Sequence, residues 1–293
     1  MTSTSTTTEL LKKVRSIEIK TKSLSSDLFS GEYHSAFKGR GMSFSAVRAY
    51  SYGDDIRAID WNVTARTGEA HVKIFEEERE LTVILLVDMS GSSFFGTKKQ
   101  FKSDTMTELC ATLAFSATQN NDKVGVIFFT DKVEKFIPPK KGKSHILLII
   151  RELLSFEPHG ATTNISGALE FMNQVVKKRS IVFLLSDFMS DNYSKALSIS
   201  ARRHDFICLN LFDESERDLP KIGILPVTDA ETGKTIWVNT NDARLRNNYT
   251  LWRKEKRNYL KTTATKAGAD LLDISTTDNY INVLLGFFKK RKH

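Results

Sequence analysis

The sequence predicts an α/β fold in which a doubly wound, mainly parallel sheet has helices on both faces. From residue 81 onward, strand-like apolar runs alternate with segments of helical periodicity, as βαβ units do. The runs at 81–87 and 180–186 are almost wholly apolar, which is typical of strands buried on both faces of a parallel sheet. We therefore expect two parts: residues 76–293, the sheet domain, and residues 1–75, an N-terminal helix followed by an irregular segment packed on it.

The N-terminal part has a helical period over residues 9–29 and contains no Pro or Gly before Gly31. Residues 31–68 are aromatic and punctuated by glycine but not periodic, so we expect them to lie irregularly over the main core. Alternation of apolar and polar residues predicts a strand at 71–76.

The remaining elements follow from the same periodicities. The predicted strands are residues 81–87, 123–129, 133–137, 180–186, 205–212 and 270–274. The predicted helices are residues 98–119, 144–154, 165–177, 193–203, 242–266 and 277–288. A hairpin turn is expected at 229–233, between short strands at 227–228 and 235–238.

Composition restricts the class of protein. With 293 residues and 40% hydrophobic content the chain can bury a large core, but no apolar run reaches the roughly 18 to 20 residues that span a bilayer. The first twenty residues lack the apolar centre of a signal peptide, so we expect a cytoplasmic protein that reaches a membrane only through a partner.

Its two cysteines argue against a disulfide framework and exclude a thiol-rich metal site. The net charge of +8 comes from basic residues interspersed with acids, which favours solvated surface over a nucleic-acid site.

Two aspartates, Asp88 and Asp187, terminate the two most apolar strands. Because the carboxyl ends of parallel strands share one edge of the sheet, the fold can bring these carboxylates together. Each could instead act separately, as a helix-start acid or N-cap.

Hydroxyl groups accompany both motifs. In Asp88-x-Ser90-x-Ser92, alternate positions place a carboxylate and two hydroxyls on one side of a turn that Gly91 allows. Thr163 directly precedes a predicted helix. The alternative is helix capping, by Ser92 in the first case and by Thr163 or its neighbour Asn164 in the second.

Taken together, the five residues predict a metal site built only from oxygen ligands: Asp88, Ser90, Ser92, Thr163 and Asp187. Such a set suits Mg²⁺, or another hard cation such as Mn²⁺ or Ca²⁺, whereas the absence of His and Cys argues against zinc. A coordination position left open could take a carboxylate from a partner. This hypothesis requires that the two aspartates share a pocket and that no lysine or arginine head group fills it.

These motifs resemble the metal-ion-dependent adhesion site of von Willebrand factor A domains, over roughly residues 81–274. The resemblance implies that the two serines and the threonine contact the metal directly and that one or both aspartates act through water. Position 93 is Ser where many such domains have Met, a departure that concerns packing more than coordination.

A second resemblance lies upstream, in Gly39-Arg-Gly41-Met-Ser-Phe44, Val47-Arg48-Ala-Tyr50 and the run from Tyr52 to Trp61. With the A-type domain included, nearly the whole chain resembles a bacterial domain-of-unknown-function family whose members often accompany MoxR-type AAA+ ATPases. The resemblance implies a bacterial origin and an ATPase partner. Some relatives carry membrane helices ahead of this region.

The same segment contains three acids, Asp54, Asp55 and Asp60, among three arginines, Arg48, Arg57 and Arg66. We expect Asp54 and Asp60 to pair with arginines and pin the segment, with Tyr50 and Trp61 as packing anchors. The alternative is a second metal or catalytic site.

These observations favour a metal-dependent binding module, an adaptor or assembly factor that engages an acidic residue of a protein partner, and not an enzyme. The alternative is a metal-dependent phosphoesterase or phosphotransferase, for which only Asp54, Asp55 or His159 could serve as the base. Nucleic-acid binding, a third class, would require steep salt dependence.

Overall fold

The computed structural model describes residues 12, 14–18, 31–33, 36–37, 42–77, 80–94, 102–228 and 235–291. The chain divides into two compact units, one of residues Phe37–Leu81 and one of Met1–Ala36 with Thr82–His293. Lys12 and residues 14–18 are helical, in agreement with the predicted leading helix, whose remaining residues lie outside the described part.

The smaller unit is more regular than its sequence pattern predicts. Strand β1 (Met42–Ala49) pairs antiparallel with β2 (His71–Glu77), and helix α1 (Trp61–Thr67) lies between them in sequence. Asp60 caps α1 by accepting hydrogen bonds from the Asn62 and Val63 amides, and Gly68, at a φ of 79°, ends it. The helix is defined by its two caps and has no buried residues. Its sequence therefore lacks the apolar periodicity from which a helix is predicted.

The larger unit contains the predicted sheet. Its strands are β3 (Thr82–Asp88), β4 (Lys123–Phe129), β5 (Val133–Lys140), β6 (Ile181–Ser186), β7 (Asp205–Phe212) and β10 (Asp270–Ser275). Between β7 and β10 in sequence, β8 (Ile224–Thr228) and β9 (Thr235–Asn239) form a separate antiparallel sheet of two strands. The order across the sheet is β10-β7-β6-β3-β4-β5, and every neighbouring pair is parallel except β4 with β5. The mainly parallel sheet is thus confirmed. The turn predicted between β8 and β9 lies outside the described residues.

Helices follow the strands as the alternation predicts. They are α2 (Lys102–Gln119), α3 (Lys143–Ser155), α4 (Ile165–Val175), α5 (Ser194–Arg203), α6 (Ala243–Ala267) and α7 (Tyr280–Arg291). Residues 98–101, predicted to begin the first of these, lie outside the described part.

The core lies on both sides of the sheet. On one face, Ile84 and Leu86 of β3 pack in a cluster with Leu169 of α4 and Leu197 of α5. The alternate residues of β3 are equally buried and point to the other face, where α2 contacts β3, β4 and β7. This two-sided burial explains the continuous apolar run and confirms the doubly wound α/β architecture.

Two further expectations concern membrane-spanning helices and the cysteines. Among the helices of the described residues, none is both long and apolar enough to cross a membrane. Both cysteines are free and buried, and burial raises the pKa of each thiol. Neither therefore contributes a reactive thiolate.

Candidate metal centre

The fold brings the two aspartate motifs to one edge of the sheet. Strands β3 and β6 are adjacent and parallel, with Val87 opposite Leu185, so the residues that follow them lie side by side. The Ser186 hydroxyl donates a 2.6 Å hydrogen bond to Oδ2 of Asp88. Asp187, the next residue, is close enough for its carboxylate to perturb that of Asp88. The shared edge that the hypothesis requires is therefore present.

Asp88 is buried and held in place on both oxygens. Its Oδ1 accepts the Ser90 amide at 3.0 Å, in addition to the Ser186 hydrogen bond to Oδ2. The carboxylate is 1% exposed. It is thus a preoriented group at the strand end, not a solvent-exposed helix cap.

The hydroxyls of Ser90 and Thr163 contact this carboxylate, and the Ser92 hydroxyl lies beside that of Ser90 and hydrogen-bonds to Asp187. Ser90 Oγ and Ser92 Oγ are 3.2 Å apart, and Thr163 Oγ1 lies 3.5 Å from Oδ1 and 3.4 Å from Oδ2 of Asp88. A backbone hydrogen bond of 3.0 Å from the Gly91 amide to the Ala161 carbonyl joins the two loops. The cap of α4 is the Asn164 side chain, which accepts from the Gly167 amide, so the Thr163 hydroxyl is not used as a helix cap.

The loop that carries Thr163 is fixed by Glu134 of β5, a residue that the sequence analysis did not single out. The Glu134 carboxylate accepts from the amides of His159 and Gly160, at 3.0 to 3.1 Å, and from the Thr130 hydroxyl at 2.6 Å. Burial alone would raise the pKa of Glu134, but these hydrogen bonds lower it to about 2. His159 Nδ1 also contacts this carboxylate at 2.9 Å, so the histidine proposed as a base is engaged structurally.

A lysine reaches the other carboxylate of the site. Lys102 of α2 is fully buried, and its Nζ lies 3.1 Å from Oδ2 of Asp187 and 2.5 Å from Oε1 of Glu216. Glu216 also pairs with Arg253 of α6 at 3.3 Å. The sequence analysis missed Lys102 and Glu216, because neither belongs to a motif and only the tertiary fold places them beside Asp187.

The carboxylates have opposite electrostatic surroundings. Burial, and then the Asp187 charge, raise the pKa of Asp88. Burial would also raise the pKa of Asp187, but the Lys102 ammonium and hydrogen bonds from Ser92, Lys102 and the Met189 amide lower it overall. Burial disfavours the charged form of Lys102, yet Asp187 and Glu216 raise its pKa above the ordinary value. Lys102 therefore stays charged, and Asp187 is the compensated carboxylate of the pair.

The donor set around Asp88 fits a hard divalent cation. The carboxylate of Asp88 and the hydroxyls of Ser90, Ser92 and Thr163 are oxygen groups of the kind that hard divalent cations prefer as ligands. Among the described residues, no three His, Cys, Asp or Glu side chains form a metal-binding group, so an ion here would depend on the hydroxyls. The requirement that no lysine head group enter the pocket is not met, because the Lys102 ammonium lies 3.1 Å from Oδ2 of Asp187. The assignment of all five residues as ligands stays a prediction.

Beside Asp187 lies a cleft of about 290 Å³ at the ends of β6 and β7. Its lining includes five basic side chains, Arg217, Arg253, Lys254, Lys256 and Arg257. Two of these, Lys256 and Arg257, form ion pairs with Asp191 and Asp273, and Arg217 pairs with Glu214. Arg253 pairs with Glu216, and the lining also includes two acids and several apolar side chains, so the cleft continues the sheet edge as a mixed apolar and charged surface.

The acids of the smaller unit have structural roles. Arg48 pairs with both oxygens of Asp54 at 2.6 and 2.7 Å, which confirms that predicted ion pair. Asp55 accepts from the Arg57 amide at 2.9 Å, and Asp60 caps α1 and lies 3.9 Å from Lys73, not beside an arginine. The prediction that Trp61 anchors packing is wrong, since this residue is 67% exposed.

Comparison with known proteins agrees with this architecture. The family described as "Protein of unknown function DUF58" matches residues 46–259. A Mycobacterium tuberculosis protein, Rv1480, is 26% identical over 97% of this chain and 90% of its own length.

Similar solved structures have lower identity. An aerotolerance-related membrane protein from Bacteroides fragilis covers 72% of this chain and 99% of its own, at 15% identity and a TM-score of 0.50. The VWA domain of SpRpn10 covers 71% of this chain and 95% of its own, at 9% identity and a TM-score of 0.40. The first of these likenesses concerns the fold alone.

Proposed function

The chain belongs to the DUF58 family, and from this premise we propose that it is a metal-dependent protein-binding adaptor or assembly factor. The observation that carries the proposal is the convergence of oxygen groups from three separated segments, Asp88 with Ser90, Thr163 and Ser186, at one sheet edge. Burial and a neighbouring acid disfavour the charge of the Asp88 carboxylate, and a bound divalent cation would stabilise that charge.

In this proposal Asp88, Ser90, Ser92 and Thr163 hold Mg²⁺, or Mn²⁺ or Ca²⁺, directly. Asp187 acts through water, since its oxygens already accept from Lys102 and the Met189 amide. The bound ion supplies an under-neutralised positive charge that a carboxylate of a partner can complete. The chain provides the preorganised oxygens, and Ser186 and Glu134 keep them in position.

The geometry of the site supports binding of a partner better than it supports catalysis. Hydrolysis of a phosphoester would require a general base within reach of the ion. The one histidine offered for that role, His159, is engaged by Glu134, and Asp54 and Asp55 serve an ion pair and a cap. No observation favours the phosphoesterase alternative.

The proposed partner is a protein with an exposed acidic residue, and the second resemblance of the sequence makes a MoxR-type AAA+ ATPase the first candidate. We place this interaction in the cytoplasm, with any membrane contact made through the partner.

The test is affinity capture from extract of the native cell, with and without chelator, comparing the wild type with Asp88→Ala. We expect a MoxR-type ATPase to be retained by the wild type in Mg²⁺ and lost in EDTA or with Asp88→Ala. Glu170→Ala, at an exposed position of α4, is the control. Equal capture by Asp88→Ala, with an unchanged melting temperature, would contradict the proposal.

A further inference from the structure

The ammonium of Lys102 lies among the charges of the candidate metal centre. It is fully buried, and it is shared between Asp187 and Glu216 at 3.1 and 2.5 Å. A buried lysine is stabilised only by such pairing, because removal of its charge from water is costly. Lys102 is therefore a permanent positive charge at one side of the site, paired with Asp187, which belongs to the predicted ligand set, and with Glu216, which does not.

A divalent ion near Asp88 would share Asp187 with this ammonium. The two aspartates together carry two negative charges, and Lys102 compensates one of them. Like charges a few ångströms apart in a water-poor site repel strongly. The pocket around Asp88 thus attracts a cation less than its two aspartates alone would.

We infer that Lys102 competes with the divalent cation for Asp187 and so keeps the metal affinity of this site low; the inference rests on the proposed function. Glu216 is the second anchor that lets the ammonium remain in place when Asp187 is drawn toward the ion. Glu216 itself is fixed by the turn that follows β7, where it forms a capping box with Asp213, and by Arg253. With the ion, Lys102 and Arg253 set against Asp88, Asp187 and Glu216, the site keeps one net positive charge, which selects a carboxylate ligand over a neutral one.

Titration of the purified full-length chain with Mn²⁺, followed by the electron paramagnetic resonance signal of the free ion, tests this inference without a partner. Lys102→Met keeps an unbranched side chain of nearly the same length but removes its charge, and we expect it to bind Mn²⁺ at least about tenfold more tightly than the wild type. Glu216→Gln removes the second anchor, leaves the ammonium more dependent on Asp187, and should weaken Mn²⁺ binding. Lys177→Met, at an exposed lysine, controls for the overall loss of one charge and should leave the affinity unchanged.

The outcomes separate this inference from the proposed function. Equal or weaker Mn²⁺ binding by folded Lys102→Met would overturn the role of Lys102 while leaving a metal site in place. Binding by Lys102→Met but not by the wild type would support the competition and contradict a metal-dependent function. Binding by neither protein would overturn both. Should Lys102→Met not fold, as judged by its circular dichroism, two other variants replace it in the test. Lys102→Gln should bind Mn²⁺ more tightly than the wild type and Glu216→Gln less tightly, and the opposite results would overturn the inference.

Discussion

The Ser186 hydroxyl donates a 2.6 Å hydrogen bond to Oδ2 of Asp88, across 98 positions of sequence. The same hydroxyl accepts the Phe188 amide at 3.0 Å, so its direction is fixed from the chain that follows β6. The orientation of the predicted metal-binding carboxylate is thus set by the neighbouring strand, because a side chain at the end of β6 reaches across to the end of β3.

Ser186→Ala should release the Asp88 carboxylate and leave the Phe188 amide without its acceptor. A buried hydrogen-bonding group left unpaired costs about 1 to 3 kcal/mol, so we expect the free energy of unfolding to fall by this amount in urea titrations. Mn²⁺ affinity should fall as well, because Asp88 is no longer held toward the hydroxyls. Ser198→Ala, which removes a hydroxyl on the exposed side of α5, is the control and should change neither. Unchanged Mn²⁺ affinity in Ser186→Ala would show that Asp88 needs no such support.

Gly160→Ala should disturb the loop that leads to Thr163. A Cβ at this position would collide with the Asp131 carboxylate and the Thr130 hydroxyl. Overpacking of this kind costs about 1 to 3 kcal/mol, and displacement of the loop should also weaken Mn²⁺ binding.

Gly286→Ala is the matched control for that substitution, since it lies in α7 and, apart from the adjoining helix backbone, no atom of the described residues lies within 4 Å of the added Cβ. Because alanine is the better helix former by about 1 kcal/mol, thermal unfolding should show a small gain in stability. A Gly160→Ala protein as stable as the wild type would mean that the loop adapts without cost.

Glu134→Gln should make the loop less stable in a manner that depends on pH. Hydrogen bonds from two amides and a hydroxyl lower the pKa of Glu134 to about 2 in the folded protein. A lowered carboxylate pKa contributes stability that is present above the unfolded value, about 4.5, and is lost as the pH falls toward 2. The wild type should therefore exceed Glu134→Gln in stability at pH 7, and the difference should shrink between pH 4.5 and 2.

Urea unfolding of the two proteins across that range measures the difference. Glu170→Gln, at an exposed acid of α4, should show no such pH-dependent difference from the wild type. A constant gap between wild type and Glu134→Gln from pH 7 to 2 would contradict the assigned role of the charge.

His204, at the end of α5, should make the fold sensitive to mild acid. It is buried, and within the described part of the chain neither ring nitrogen has a hydrogen-bond partner. Burial, with the nearby charges of Arg203 and Arg179, lowers its pKa to about 4. The unfolded chain binds this proton more tightly, so stability is full above about pH 6.5 and is lost as the pH falls toward 4, by about 3 kcal/mol.

His204→Leu removes this titration, so the stability of the variant should fall less steeply than that of the wild type between pH 6.5 and 4. The comparison is made by urea unfolding at several pH values. Lys195→Leu, at an exposed position of α5, is the control and should retain the slope of the wild type. Identical slopes for wild type and His204→Leu would show that the buried imidazole is not the titrating group.

Apolar patterning predicted the larger unit well because its strands are buried on both faces. The runs at 123–129 and 205–212 coincide with β4 and β7 in full, since continuous apolar residues require a position inside the sheet. The stretch from β1 to α1 was harder to predict, because it depends on a strand of mixed residues, MSFSAVRA, and on a helix formed by its caps. Propensity and periodicity carry little information about such elements.

The site divides in the same way. The sequence was sufficient to propose Asp88, Ser90, Ser92 and Thr163, because the end of a strand and the residues of a turn can be recognised from a few neighbouring positions. Lys102 and Glu216 could not be proposed in this way, because each is one charged residue among many, and burial beside Asp187 is a property of the assembled fold.

The sequence by itself determined the alternation of strands and helices and the oxygen-bearing side chains at the strand ends, because both depend on residue order over a few positions. Only the tertiary structure decided that a hydroxyl from β6 orients Asp88, that Glu134 holds the loop before Thr163, and that a lysine neutralises Asp187. These relationships join residues far apart in the chain, and their strength comes from the exclusion of water around charges and hydrogen bonds, which exists only after the sheet and its helices have packed.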